Sequence, residues 1–271
     1  MISYGVVVHG GAGSSGELSE GCRAACEAAF RMLAAGNSAL DAAVEAARLL
    51  EDDGRFNAGR GSVLRMDGET IEMDAAVADS TGKIGVVINI REVKNPVLVA
   101  LAVTGTPHVA LAGRGAEAFA RSLGFAPYHD FSRKAGGRGG TSSDTIGADT
   151  IGVVALDRRG IFALATSTGG AAPMMVGRVG DTPMIGCGFY AGPGAAVAVT
   201  GLGEESIRKM LAKSVYDMIA GEMDALSACE KGIGLVAPGI KMGVIAISRR
   251  DWSAKASGPM AHCGMICEKA Q

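Results

Sequence analysis

The pair Asp149-Thr150 stands at a seam. Before it runs a Gly/Ser-rich stretch, Ala135-Gly-Gly-Arg-Gly-Gly-Thr-Ser-Ser-Asp144, and after it the apolar run Ile151-Gly-Val-Val-Ala-Leu156. A threonine held between a loose loop and a buried strand can do two things. Its hydroxyl can attack the carbonyl of Asp149 and break the chain there. Once freed, its own α-amino group, with an ordinary pKa of about 7.7–8.0, is partly neutral near pH 7 and can take the hydroxyl proton. The chain then needs no histidine base, and it holds only 4 histidines, which disfavours a Ser-His-Asp triad. These residues predict a self-activating amidohydrolase, cut between Asp149 and Thr150.

A second pair suits recognition of a zwitterion. Arg178 and Asp181, three residues apart in Gly177-Arg-Val-Gly-Asp-Thr182, offer a forked guanidinium for a carboxylate and a carboxylate for an ammonium. A rival motif is Gly11-Ala-Gly-Ser-Ser-Gly16, a literal GxGxxG. A dinucleotide site needs a parallel strand after the first helix, with an acidic residue some 20 positions on. Here a second helical segment fills that place, so a nucleotide-dependent oxidoreductase is the weaker reading. His9-Gly-Gly is like a lipase oxyanion loop, but no GxSxG elbow exists in the chain. His9 is read as a strand-end histidine bonded to backbone. A third alternative is a non-maturing amino-acid-binding protein that keeps Arg178 and Asp181.

The elements that must carry these residues follow from periodicity. Tyr4 to Val8 reads as a buried strand that turns at His9-Gly-Gly-Ala-Gly13. Ser19 to Ala35 and Ser38 to Leu50 read as helices parted by Gly36-Asn37. Ser62 to Met66 and Thr70 to Asp79 read as a hairpin across Asp67-Gly68, and Lys83 to Ile90 as a third strand. Asn95-Pro96 opens a helix through Val103, and Gly113 to Leu123 forms another. Residues 125–149 have turn composition and read as a mobile linker. Beyond it, Thr150 to Asp157, Gly160 to Thr166, Ala195 to Thr200, Lys241 to Ser248 and Pro259 to Cys267 read as strands. Glu204 to Ala220 and Ser227 to Lys231 read as helices. The expected sheet is mostly antiparallel with helices outside.

Composition narrows the partners. With 41 glycines, 4% aromatics and a net charge of −2, there is neither a basic footprint nor an aromatic platform for nucleic acid. No apolar run reaches the length of a membrane span, and the start lacks a basic leader. The cysteines at 22, 26, 187, 229, 263 and 267 form no CxxC pair. Cys22 and Cys26 fit a helix core, Cys263 and Cys267 a last strand, and a reducing cytoplasm is expected. The carboxylates Glu51, Asp52 and Asp53 read as a solvated turn rather than a divalent-metal site.

Taken in order, His9-Gly-Gly-Ala-Gly13, Phe56-Asn-Ala-Gly-Arg-Gly61, Asp149-Thr-Ile-Gly152, Thr166-Ser-Thr-Gly-Gly170, Gly177-Arg-Val-Gly-Asp-Thr182 and Thr200-Gly-Leu-Gly-Glu204 form a set. It resembles the threonine N-terminal-nucleophile hydrolases of the isoaspartyl peptidase and plant-type L-asparaginase family, with glycosylasparaginase as a close relative. The resemblance implies an α/β (α+β) fold, a four-layer αββα sandwich in one domain over 1–271, cut into 1–149 and 150–271 and assembled as a dimer of such pairs. It implies Thr150 as nucleophile, Thr168 as its tuning partner, Thr200 and Gly201 as the oxyanion pair, and Asn57 as a contact of the new amine. Arg178 and Asp181, with the carbonyl of Gly203, would hold an aspartyl group. No cofactor is required. A structural sodium ion is implied on the backbone of Leu50, Glu51, Asp53, Phe56, Ala58 and Arg60. Asp-Thr-Ile-Gly is nearer to glycosylasparaginases, and the family's tandem histidines appear as Thr106-Pro-His108. The leaving group therefore stays open between ammonia, an amino acid or peptide, and a glycosylamine, with isoaspartyl dipeptides and asparagine favoured.

Overall fold

Strand β1 (Ile2–Ala12) lies inside a seven-stranded sheet, bordered by one strand from the far end of the chain and one from its middle. The structure, a computed structural model, describes residues 1–14, 16–132 and 150–269. The sheet also holds β2 (Met73–Asp79), β3 (Ile84–Ile90), β4 (Ala110–Ala112), β5 (Ile151–Leu156), β6 (Phe162–Thr168) and, skipping ahead, β11 (Met260–Glu268), in the order β11-β1-β5-β6-β2-β3-β4. A second sheet of four strands runs β10 (Trp252–Ala256), β9 (Met242–Ser248), β8 (Ala195–Gly201), β7 (Phe189–Gly192). Pairings between the named strands are antiparallel except the short β3–β4 contact.

Helices α1 (Ser19–Ala34), α2 (Ala39–Asp52), α3 (Pro96–Val103) and α4 (Gly113–Ser122) pack on one face of the larger sheet, sharing a core with Val6, Val8, Ala75, Val77, Val153 and Ala165. Helix α1 buries Cys22, Ala25, Cys26, Ala29 and Leu33, a stripe at 3–4 residue spacing. Its end is set by Gly36 at φ +91°, and Ser38 then caps α2 by accepting the Asp41 N–H at 3.0 Å. A second cluster joins α6 (Leu211–Ala220) and α7 (Ala225–Gly234) to the smaller sheet through Val197, Val199 and Val244. Between the sheets Val7, Val154, Leu164, Ala196, Ala198 and Ile245 meet in a third. Two sheets are thus flanked by helices. Among the described residues no helix is long and apolar enough to cross a membrane.

Several expectations are corrected. Strand β1 continues through the stretch expected to turn at His9, because Val8 and His9 still pair with Cys263 and His262 of β11. The hairpin at 62–79 does not form. Asp67 does make its turn, accepting the N–H groups of Glu69 and Thr70, but β2 already has β3 and β6 on its two edges. The helix expected from Glu204 to Ala220 breaks into α5 (Gly203–Lys209) and α6, with Met210 left-handed at φ 45°. The carbonyls of Cys187 and Gly186 take the N–H groups of Ala212 and Lys213, so α6 starts afresh. Glu51 is buried, not solvated. Its Oε1 accepts the Val97 N–H at the start of α3, and burial pushes its pKa up to about 8. Of the linker, residues 125–132 carry no helix or strand, and 133–149, including Asp149, lie outside the described residues.

Candidate active site

Register brings the two threonines together. Ile151 pairs with Ser167 across β5 and β6, so the positions just outside that pair, 150 and 168, face each other. Thr150 and Thr168 are both buried, and their hydroxyl oxygens lie 3.2 Å apart. The Thr168 hydroxyl also accepts the Gly170 N–H at 3.0 Å. Behind this segment sits Asn57. Its backbone carbonyl accepts the Gly169 N–H at 2.9 Å, its side-chain amide donates to the Gly170 carbonyl, and its Oδ1 accepts the Val63 N–H at 3.1 Å. Asn57 therefore braces the turn that follows Thr168.

The smaller sheet supplies the opposite wall. Strand β8 ends at Thr200-Gly201, and the Thr200 hydroxyl accepts the Ala12 N–H at 3.2 Å, which ties β1 to β8. Gly201 has φ +136°, and a Cβ there would lie 2.4 Å from the Lys241 carbonyl, so the position demands glycine. At Gly203 a Cβ would lie 2.9 Å from both Arg178 Nη2 and Asp181 Oδ1. The two charged groups thus converge over Gly203. Together with Thr150, Thr168 and Gly201 they line one cleft.

Charge in this cleft is finely divided. Arg178 donates through Nε and Nη2 to the two oxygens of Glu204, at 3.0 and 2.8 Å, and this pairing holds the Glu204 pKa below the usual range. Asp181 is buried, and burial pushes its pKa up to about 6, against hydrogen bonding from Ser206 and the nearby Arg178. Beneath Gly170 lies a second charged layer. Arg65, fully enclosed, lies 3.3 Å from Glu72, which also binds Arg91 and accepts the Gly177 N–H at 2.7 Å. Asp74 sits beside them, pushed up to about 6 by burial. Sequence reasoning gave no role to Glu204, Arg65, Glu72 or Asp74. The available signal was Thr70-Ile-Glu-Met-Asp74, two acids at the head of an otherwise apolar strand.

His9 is the backbone-bonded residue expected. Its Nδ1 accepts the Gly11 N–H at 3.2 Å, and burial lowers its pKa to about 3, so it stays neutral. The glycine motif at 11–16 lacks the context of a dinucleotide site, since β1 is antiparallel to both neighbours and α1 leads to α2. Around residues 51–61 carbonyl oxygens turn inward. A Cβ on Gly61 would lie 1.9 Å from the Phe56 oxygen and 2.8 Å from that of Gly54, and one on Gly59 2.7 Å from that of Glu51. Carbonyls that crowd these two glycines leave no room for a side chain. The carbonyls of Asp53, Ala58 and Arg60 already accept N–H groups of Phe56, Gly61 and Ser132.

Comparison with known proteins adds lineage to this geometry. A family model described as asparaginase matches residues 2–135 and 130–265, nearly the whole chain. The chain belongs to the asparaginase family. Its relatives include a plant-type L-asparaginase of Thermococcus kodakarensis, 42% identical over 85% of this chain and 84% of the relative. An isoaspartyl peptidase of Escherichia coli is 41% identical over 89% and 86%. An isoaspartyl peptidase/L-asparaginase of Rattus norvegicus is 38% identical over 94% and 83%. Within this asparaginase family member, Thr150, Thr168, Arg178, Asp181, Gly201 and Gly203 line the cleft, Asn57 braces the turn behind it, Thr200 is buried beside Gly201, and Asp149 lies outside the described residues.

Proposed function

We propose that this asparaginase family member is a self-processing amidohydrolase that cleaves isoaspartyl dipeptides and L-asparagine through Thr150. The observation that carries the reading is the meeting of the Thr150 and Thr168 hydroxyls at 3.2 Å in a cleft whose far end holds Arg178 and Asp181. In processing, Thr150 Oγ attacks the Asp149 carbonyl and the peptide C–N bond breaks, leaving an ester on Thr150. Water opens the ester, giving a C-terminal carboxyl on Asp149 and a free Thr150 amine.

In turnover that amine accepts the hydroxyl proton as Oγ attacks the substrate β-carbonyl. The Thr200 hydroxyl and the Gly201 N–H face the developing oxyanion, a pair of donors worth about 3–4 kcal/mol each. The amine leaves with a proton, and water then releases aspartate from the β-aspartyl ester. Arg178 takes the α-carboxylate; Asp181 and the Gly203 carbonyl take the α-ammonium. Thr168 tunes the nucleophile, while Asn57 holds the segment behind it and contacts the new amine.

The wider assignments follow the same reading. The fold is the four-layer αββα sandwich of N-terminal-nucleophile hydrolases, one domain cut into 1–149 and 150–271, and two such pairs associate. The reaction draws on no cofactor. Inward carbonyls such as those of Glu51 and Phe56 would hold a sodium ion that keeps Asn57 in place. The cysteine spacing favours the cytoplasm. Mass spectrometry with N-terminal sequencing should find two fragments, one beginning at Thr150, in protein that releases aspartate from β-aspartyl dipeptides and asparagine. Thr150→Ala should stay whole and lose activity at least a thousandfold (roughly the loss on removing a nucleophile). Hydrolysis by the alanine variant would refute the assignment.

A further inference from the structure

Arg178 hangs from a glycine that is gripped on both sides. Gly177 adopts φ +84°, the freest residue type in a conformation that places no side chain against anything. Its N–H donates to Glu72 Oε2 at 2.7 Å. Its carbonyl accepts the side-chain amide of Asn89 at 3.1 Å. The N–H belongs to the peptide plane before the Gly177 Cα and the carbonyl to the plane after it, so the two bonds together fix both dihedrals of Gly177. The second plane also contains the Arg178 nitrogen. The root of the arginine side chain is therefore set by Glu72, just before β2, and Asn89, on β3.

Both halves of the grip are built rather than incidental. Asn89 sits in a β-bulge, where Ile88 and Asn89 oppose the single residue Asp74 between the Met73–Ile90 and Ala75–Val87 pairs. It has φ 48°, and its own N–H is held by Asp74 Oδ1 at 2.7 Å. Bulges re-aim side chains, and this one turns the Asn89 amide toward Gly177. A glycine would adopt this backbone with less strain, but it has no amide to donate. Glu72 is 3% exposed and flanked by Arg65 and Arg91, which keep its carboxylate ionised and oriented.

We propose that Glu72 and Asn89 form a clamp on Gly177 that positions Arg178 and so sets how firmly the site grips the α-carboxylate of an aspartyl substrate. This rests on the reading in which Arg178 meets that carboxylate. Glu72 and Asn89 are positioning residues: neither touches the nucleophile.

Asn89→Gly and Asn89→Asp test it, the first keeping the backbone conformation and the second the side-chain shape, both without the donor. Each should raise the Kd for L-aspartate and the KM for asparagine by roughly five- to tenfold, the scale of one lost hydrogen bond. The kcat should stay within about twofold, and cleavage before Thr150 should be unchanged. A fall in kcat with KM unmoved, or aspartate binding at the wild-type Kd in both variants, overturns the clamp. Should Asn89→Gly fail to fold, Asn89→Asp decides. If the wild-type protein neither cleaves itself nor hydrolyses asparagine, the hydrolase reading fails while the aspartate titration still judges the clamp. If wild type does not bind aspartate at all, both fall.

Discussion

In the proposed ammonium site, Asp181 would couple protonation to binding. A buried carboxyl raised to about 6 is neutral below that pH and cannot balance an ammonium. The sign for stability runs the other way. Between the ordinary carboxyl value near 3.9 and about 6, the folded chain binds a proton that the unfolded chain does not, so this group's contribution falls as pH rises through that window. Asp74, raised to about 6 by burial as well, acts in the same direction. Two charged groups are thus kept in the fold at a cost to the empty protein at neutral pH, and a substrate ammonium bound as proposed would offset part of that cost at Asp181. The expected outcome is an aspartate Kd that rises up to about tenfold per unit as pH falls below 6. Calorimetric titrations from pH 5 to 8 check it, and Asp181→Asn should flatten the profile. A wild-type Kd constant across that range would take Asp181 out of the ammonium site.

Helix boundaries were the most legible elements, because their signals are local. The Ser38 hydroxyl caps α2, and Pro96 opens α3 at its first position. The seam at Thr150 was legible for the same kind of reason, since Thr150 and the strand behind it are neighbours in sequence. What stayed hidden is decided at a distance. Glu72 and Asn89 act on Gly177 across 105 and 88 residues, and β2 does not pair with the segment before it because the next strand, β3, and the distant β6 occupy its two edges. The break at Met210 is another such case, imposed by the Gly186 and Cys187 carbonyls. Met210 bears the left-handed conformation although its side chain is 54% exposed. For an L-residue that conformation is costly, and glycine relieves it. Met210→Gly should therefore stabilise the protein by about 0.5–1 kcal/mol, read as a higher Tm. A lower Tm would mean that packing by the Met210 side chain outweighs the strain.

At the scale of the molecule, the order of the larger sheet decides what cleavage can do. Strands β5 and β6 follow Thr150, yet they lie between β1 and β2, which precede it, and β11 covers the other edge of β1. Each half of the chain thus completes a sheet begun by the other. The core between the sheets is shared in the same way, Val7 and Ala76 packing with Leu156, Leu164 and Ile245. Cutting one peptide bond before Thr150 removes no strand pairing and exposes no core, so the fragments have no route apart short of unfolding. Processed protein should run as two bands in denaturing electrophoresis and as one species in native gel filtration, melting in a single transition. Fragments that separate on a native column would contradict the interleaving. A one-band sample that still releases aspartate would instead place the chemistry somewhere other than a freed Thr150 amine.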